Sequence, residues 1–129
     1  MEKLNGARVV ARNYKDLIVW QRAMGLVENV YALTKTFPRE ETYSLKSQIQ
    51  RAVVAIPSNI AEEQARGSQK IEFQRFLYLA LGSLAEVDTQ LELAKRLNYV
   101  KSKDIEDVNS LMNEIRRMLF GLIKTLKRR

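Results

Sequence analysis

The sequence predicts an all-α fold: an antiparallel up-down-up-down four-helix bundle. Three observations carry that expectation. Four apolar stripes recur at spacings of three and four residues, the joints between them are short, and material for tight turns is scarce. Five Gly and two Pro in 129 residues argue against a sheet built from many hairpins.

Residues 1–15 read as a basic N-terminal arm carrying Lys3, Arg8, Arg12 and Lys15, and residues 16–129 as the bundle. Asp16 is a plausible N-cap for the first helix, whose core stripe is read as Leu17, Trp20, Met24, Val27 and Tyr31. That helix stops at Phe37-Pro38, because proline disfavours helical backbone in the residue before it. The second helix is expected from about Thr42 to Ala65, with Leu45, Ile49, Ala52, Val53, Ile56 and Ile60 on one side. Pro57 inside it deletes a backbone hydrogen bond and should bend the helix, either to fit the bundle or to shape a surface. Gly67-Ser68 is read as a C′ glycine followed by an N-cap serine. The third stripe is Phe73, Leu77, Ala80, Leu84, Val87, Leu91 and Ala94. A short connection over residues 98–102 leads to the fourth: Ile105, Val108, Met112, Ile115, Leu119, Leu122 and Leu126.

Composition narrows the function. The chain is 46% hydrophobic and 29% charged, which suits one globular domain rather than a disordered chain. It has no Cys, excluding disulfides, thiolate nucleophiles and zinc ribbons. It has no His, so the commonest general base and metal ligand are missing. Glu62, Glu63, Glu86, Glu92 and Glu114 fall on helices, but the di-metal bundle site needs Glu-x-x-His pairs. No phosphate-binding glycine loop occurs. The expectation is a non-enzymatic protein with no metal and no cofactor. Apolar runs such as Leu17-Ile18-Val19-Trp20 fall far short of the roughly 20 residues a membrane span needs, and no secretory segment is seen. A cytoplasmic location without membrane contact is the default.

Two helices carry more apolar surface than a monomer needs. Beside its core stripe the first helix has Val19, Leu26, Val30, Leu33 and Phe37, so its apolar arc reaches roughly 200°, whereas a surface helix buries little more than 100°. Opposite the third core stripe lie Tyr78, Leu79, Gly82, Ala85, Thr89 and Leu93, with Arg75 and Glu86 the only full charges near the middle. Those two charges are about 16 Å apart on an ideal helix and cannot pair with each other. A subunit interface is therefore expected at Val19, Leu26, Val30, Leu33, Tyr78, Leu79, Gly82 and Glu86. Scattered exposed apolar residues are the plainer reading.

The charge balance, 22 Lys and Arg against 15 Asp and Glu, gives +7 and suggests a polyanionic partner. After Glu114 no acid occurs, while Arg116, Arg117, Lys124, Lys127, Arg128 and Arg129 do, with Phe120 among them. Cations interleaved with an aromatic suit phosphate contacts and base stacking. The helix macrodipole also favours cations there, a solvated face is the competing reading, and Phe120 equally suits a subunit interface. Arg66, Lys70 and Arg75 form a second basic cluster around the turn between helices two and three. These nine cations are the candidate nucleic-acid-binding residues.

Four segments together resemble a known family. They are Asp16-Leu17-Ile18-Val19-Trp20-Gln21, Ser47-Gln48-Ile49-Gln50-Arg51-Ala52, Ile56-Pro57-Ser58-Asn59-Ile60-Ala61-Glu62, and the run from Phe76-Leu77-Tyr78 through Leu84-Ala85-Glu86. They are similar to the four-helix-bundle proteins encoded in intervening sequences of bacterial 23S ribosomal RNA genes, over about residues 15–125. The resemblance departs at position 63, where that family usually has Gly and this chain has Glu. It implies a homopentamer and no catalytic residues. Some relatives are accessory proteins of diversity-generating retroelements that bind nucleic acid and a reverse transcriptase. Two functional classes follow: an oligomeric RNA- or DNA-binding scaffold that partners a reverse transcriptase, or a protein-interaction oligomer whose basic surface meets an acidic protein.

Overall fold

The computed structural model describes residues 3–4, 9–10, 13–66 and 70–127. Its four long helices are α1 (Ile18–Thr34), α2 (Leu45–Arg66), α3 (Lys70–Arg96) and α4 (Glu106–Lys127). Each packs on its neighbours along the chain and α1 also packs on α4, closing a ring around one core. Ahead of them, β1 (Lys3–Leu4) and β2 (Val9–Val10) form a two-residue antiparallel pair, with Lys3 opposite Val10 and Leu4 opposite Val9. The Gly67-Ser68 cap lies outside the described residues.

The helix starts differ from the sequence expectation. Asp16 does not cap α1; it ends a 3-10 turn over Tyr14–Asp16, where the Asn13 side chain accepts from the Lys15 amide at 2.9 Å. Leu17 is the residue before α1, and its carbonyl accepts from the Gln21 amide at 3.1 Å. A second 3-10 turn, Arg39–Glu41, precedes α2, and the Glu41 carboxylate accepts from the Leu45 amide at 3.2 Å. This satisfies one of the donors a helix start leaves open. The α2 helix continues across the buried Pro57 and through Glu63, which is 1% exposed, to Arg66. At the end of α3, Asn98 takes the left-handed conformation (φ 64°). Its amide donates to Lys95 O and the Tyr99 amide to Ala94 O, the paired bonds of a Schellman end.

The stripes expected on α2 and α4 are buried, and so is that on α3 except the half-buried Phe73; Ile123 joins them. On α1 the expectation is overturned for all but Leu17. Val19, Ala23, Leu26, Val30 and Thr34 face the core, whereas Met24 and Tyr31 are each 39% exposed and Trp20 and Val27 are half-buried. Both stripes have helical spacing, so periodicity alone does not choose between them. Side-chain character does. Val, Ala and Thr let helices approach, and Trp and Tyr keep a polar atom that favours the rim. Thr34 fits the interior because its hydroxyl donates to Tyr31 O at 3.2 Å and accepts from Gln50 Nε2 at 3.1 Å.

One cluster ties the α1–α2 and α3–α4 connections together. Tyr99, between α3 and α4, donates its hydroxyl to Glu41 Oε2 at 2.6 Å and packs its ring 5.4 Å from that of Phe37. The Ser44 hydroxyl, the Tyr99 hydroxyl and the Leu45 amide hold the Glu41 carboxyl below its ordinary value of 4.5. The same bond to Glu41, followed by burial, pushes the Tyr99 phenol above 10.0.

Two predictions follow from this packing. In urea denaturation, Leu26→Ala should cost about 2–5 kcal/mol and Met24→Ala less than about 1 kcal/mol; the reverse order would restore the heptad reading of α1. Tyr99→Phe should lower the melting temperature at neutral pH. Because the Glu41 pKa is depressed, its share of stability is present above the unfolded value and lost as pH falls through the folded one. Because the Tyr99 pKa is raised, its share is present below 10.0 and lost as pH rises through the folded value. The gap between wild type and variant should therefore narrow in both directions, and a gap constant with pH would contradict the assignment.

Candidate nucleic-acid interface

The basic surface is built by the second half of α4. Ile115, Leu119, Leu122 and Leu126 turn inward, which leaves Arg117, Phe120, Lys124 and Lys127 on the outward side. Phe120 is 52% exposed, and Tyr78 on the neighbouring α3 is 47% exposed. Tyr78, Phe120, Ile123, Lys124 and Lys127 together line a groove of about 440 Å³. Ile123 is buried and gives it an apolar floor. The Lys127 ammonium sits over the Tyr78 ring, 5.7 Å from its centroid, within reach of a cation–π attraction. The groove thus has aromatic walls, a cationic rim and no carboxylate in its lining.

The other predicted cations are placed less uniformly. Arg75 is exposed on α3, one helical turn before Tyr78. Arg116 is half-buried: it donates to Asn113 Oδ1 at 2.5 Å and lies 3.9 Å from Asp88 of α3, so it serves the α3–α4 contact. Arg66 ends α2 and Lys70 opens α3, but their side chains are not among those described. Arg128 and Arg129 lie outside the described residues.

The predicted interface residues divide sharply. Val19, Leu26 and Val30 are buried in the chain's own core and cannot meet a second subunit, which corrects the sequence expectation. Leu33 is half-buried beside a separate groove lined by Asn29, Thr36, Asp104 and Asp107. Tyr78, Leu79, Gly82 and Glu86 are all exposed on α3. Glu86 Oε2 accepts from Gln90 Nε2 at 3.3 Å.

Sequence reasoning assigned Tyr78 to a subunit contact and missed its place beside Phe120. A signal existed. Tyr78 lies about as far before the connection near residue 99 as Phe120 lies after it, and both line the one groove. The exposed apolar side chains of Ile18, Met24 and Tyr31 on α1 were also missed as surface.

A family model described as 23S rRNA-intervening sequence protein matches residues 15–121. The chain belongs to this family. A similar solved structure is a protein of unknown function from the S23 ribosomal protein family of Bacteroides thetaiotaomicron VPI-5482. It is 26% identical, with a TM-score of 0.74, and the match covers 83% of this chain and 99% of that one. Among curated proteins, none matches the chain. Membership of the 23S rRNA-intervening sequence family accords with the four-helix fold. Among the described residues there is no group of His, Cys, Asp or Glu able to hold a metal ion, and no helix long and apolar enough to cross a membrane.

Proposed function

We propose that the chain is a non-enzymatic, oligomeric scaffold that binds RNA or DNA through the basic face of α4. The observation that carries this reading is the acid-free stretch after Glu114, which displays Arg117, Lys124 and Lys127 around an exposed aromatic ring. The macrodipole favours cations only in a helix's last turn. It therefore accounts for Lys124 and Lys127 but not for Arg117, ten residues earlier, and a ring that is 52% exposed answers no electrostatic need of the helix. The bundle is read as up-down-up-down: Tyr78 lies by Lys127 while Asp88 lies by Arg116, so α3 and α4 run antiparallel.

Assembly is the second part of the proposal. The outward face of α3 carries Leu79 and Leu93, 47% and 45% exposed, on either side of Gly82 and Ala85. A Cβ placed on Gly82 would meet nothing within 4 Å in its own chain, so no contact within the subunit requires glycine there. A second helix seated on that strip would use both the leucines and the gap between them. The family resemblance points to a homopentamer, in which each basic face recurs by symmetry and avidity rises. The protein partner it points to is a reverse transcriptase of a diversity-generating retroelement.

Two measurements test these parts separately. Sedimentation should give about 75 kDa, five times the 14.9 kDa chain, and Leu79→Glu should reduce it to one chain with helicity intact; a 14.9 kDa wild-type species would refute the assembly. Titration of a labelled structured RNA at several salt concentrations should give a slope of several units in log K against log salt. Replacing Arg117, Lys124 and Lys127 by Gln should lower it by roughly 0.7–0.9 for each phosphate that the variant no longer neutralises. No binding at low salt would remove the nucleic-acid reading and leave an acidic protein as the partner.

A further inference from the structure

We propose that the groove between α3 and α4 is a cradle for single-stranded nucleic acid, in which an unpaired base stacks on Phe120 beside Tyr78 while flanking phosphates lie on Lys124 and Lys127. The proposal rests on the nucleic-acid reading above and specifies the ligand: a strand with free bases rather than a duplex.

The lining sets the chemistry. Two large rings stand about half exposed, the floor is the aliphatic Ile123, and the charges in the lining are two ammonium groups. Such a site matches a ligand that is flat and apolar at its centre and anionic at its edges. A nucleotide has that form. An acidic peptide satisfies the lysines but leaves the rings uncovered. A duplex satisfies the lysines too, but its bases are already stacked on each other and cannot cover a protein ring. The groove, at about 440 Å³, falls within the range of ligand clefts, roughly 300–1,000 Å³.

The placement on α4 supports the same ligand. Phe120, Lys124 and Lys127 occupy positions i, i+4 and i+7, so ring and cations share one side of the helix over two turns. In the free protein the Lys127 ammonium lies over the Tyr78 ring. That contact keeps the face partly covered, yet a base can replace the ammonium there while the ammonium moves to a phosphate. Arg75, one turn before Tyr78 on α3, extends the cationic rim along the strand's path.

The test uses the full chain and two labelled probes: an unstructured single-stranded oligonucleotide of about 16 nucleotides, the upper end of single-strand site sizes, and the duplex of the same sequence. Phe120→Leu should weaken single-strand binding roughly 5- to 150-fold, the range for loss of one stacked base. Its salt slope and its duplex affinity should stay unchanged, and Phe120→Trp should bind the single strand like wild type. Joint replacement of Lys124 and Lys127 by Gln should instead lower the salt slope on both probes. Equal single-strand affinity for Phe120→Leu and wild type would overturn the cradle, while a persisting effect of the lysines would leave the broader reading standing. Failure of wild type to bind either probe would remove the broader reading itself. A change in sedimenting mass with Phe120→Leu would make the ring a subunit contact and overturn the proposal. So would poly-glutamate binding that shows the same Phe120 dependence.

Discussion

Burial of the α1 stripe made by Val19, Ala23, Leu26, Val30 and Thr34 is the interaction on which the surface of this bundle depends. Each large apolar side chain taken fully from water contributes roughly 1.5–3 kcal/mol, so the orientation that buries Leu26 and Val30 prevails over one that would bury Trp20 and Tyr31 with their polar atoms. Once α1 is turned that way, its neighbours are fixed too. Arg22 reaches Glu114 of α4 at 3.0 Å, and Thr34 takes up the Gln50 side chain of α2. The inward faces of α2 and α4 then leave one outward strip on α3 and one basic strip on α4.

The pairing of α3 with α4 joins those strips into the candidate site. Both helices bury apolar side chains in the common core, Leu77 and Leu84 from α3 and Ile115, Leu119 and Ile123 from α4, and Arg116 meets Asp88 across the pair. Because Arg116 is engaged there, the cations left for a ligand are those farther toward the helix end and Arg117 on the outward side. The groove is therefore a product of packing between helices. No single helix carries it.

How much of this was legible in the sequence differs by element. The stripes of α2, α3 and α4 could be read directly, because each of those helices carries one apolar stripe clearly stronger than its alternatives. On α1 two apolar stripes compete at the same spacing, so periodicity does not choose between them; the size and polarity of the side chains do. Asp16 resembled an N-cap in sequence, but Asn13 caps a preceding 3-10 turn instead. The cations of α4 were visible as an acid-free run. Tyr78 was not assigned to them, because its partner ring is 42 residues away and proximity across a helical pair has no local signature. The distinction between Arg116, which braces α3, and Arg117, which faces outward, also required coordinates.

The most direct test of the account is ultraviolet crosslinking of bound single-stranded RNA, with the adducts located by mass spectrometry after tryptic digestion. The account predicts adducts on the peptide over residues 118–124, which holds Phe120, and on the one over residues 76–95, which holds Tyr78. Adducts confined to the α1 peptides that carry Trp20 and Tyr31, with none on those two, would place the nucleic acid on a different face and contradict it.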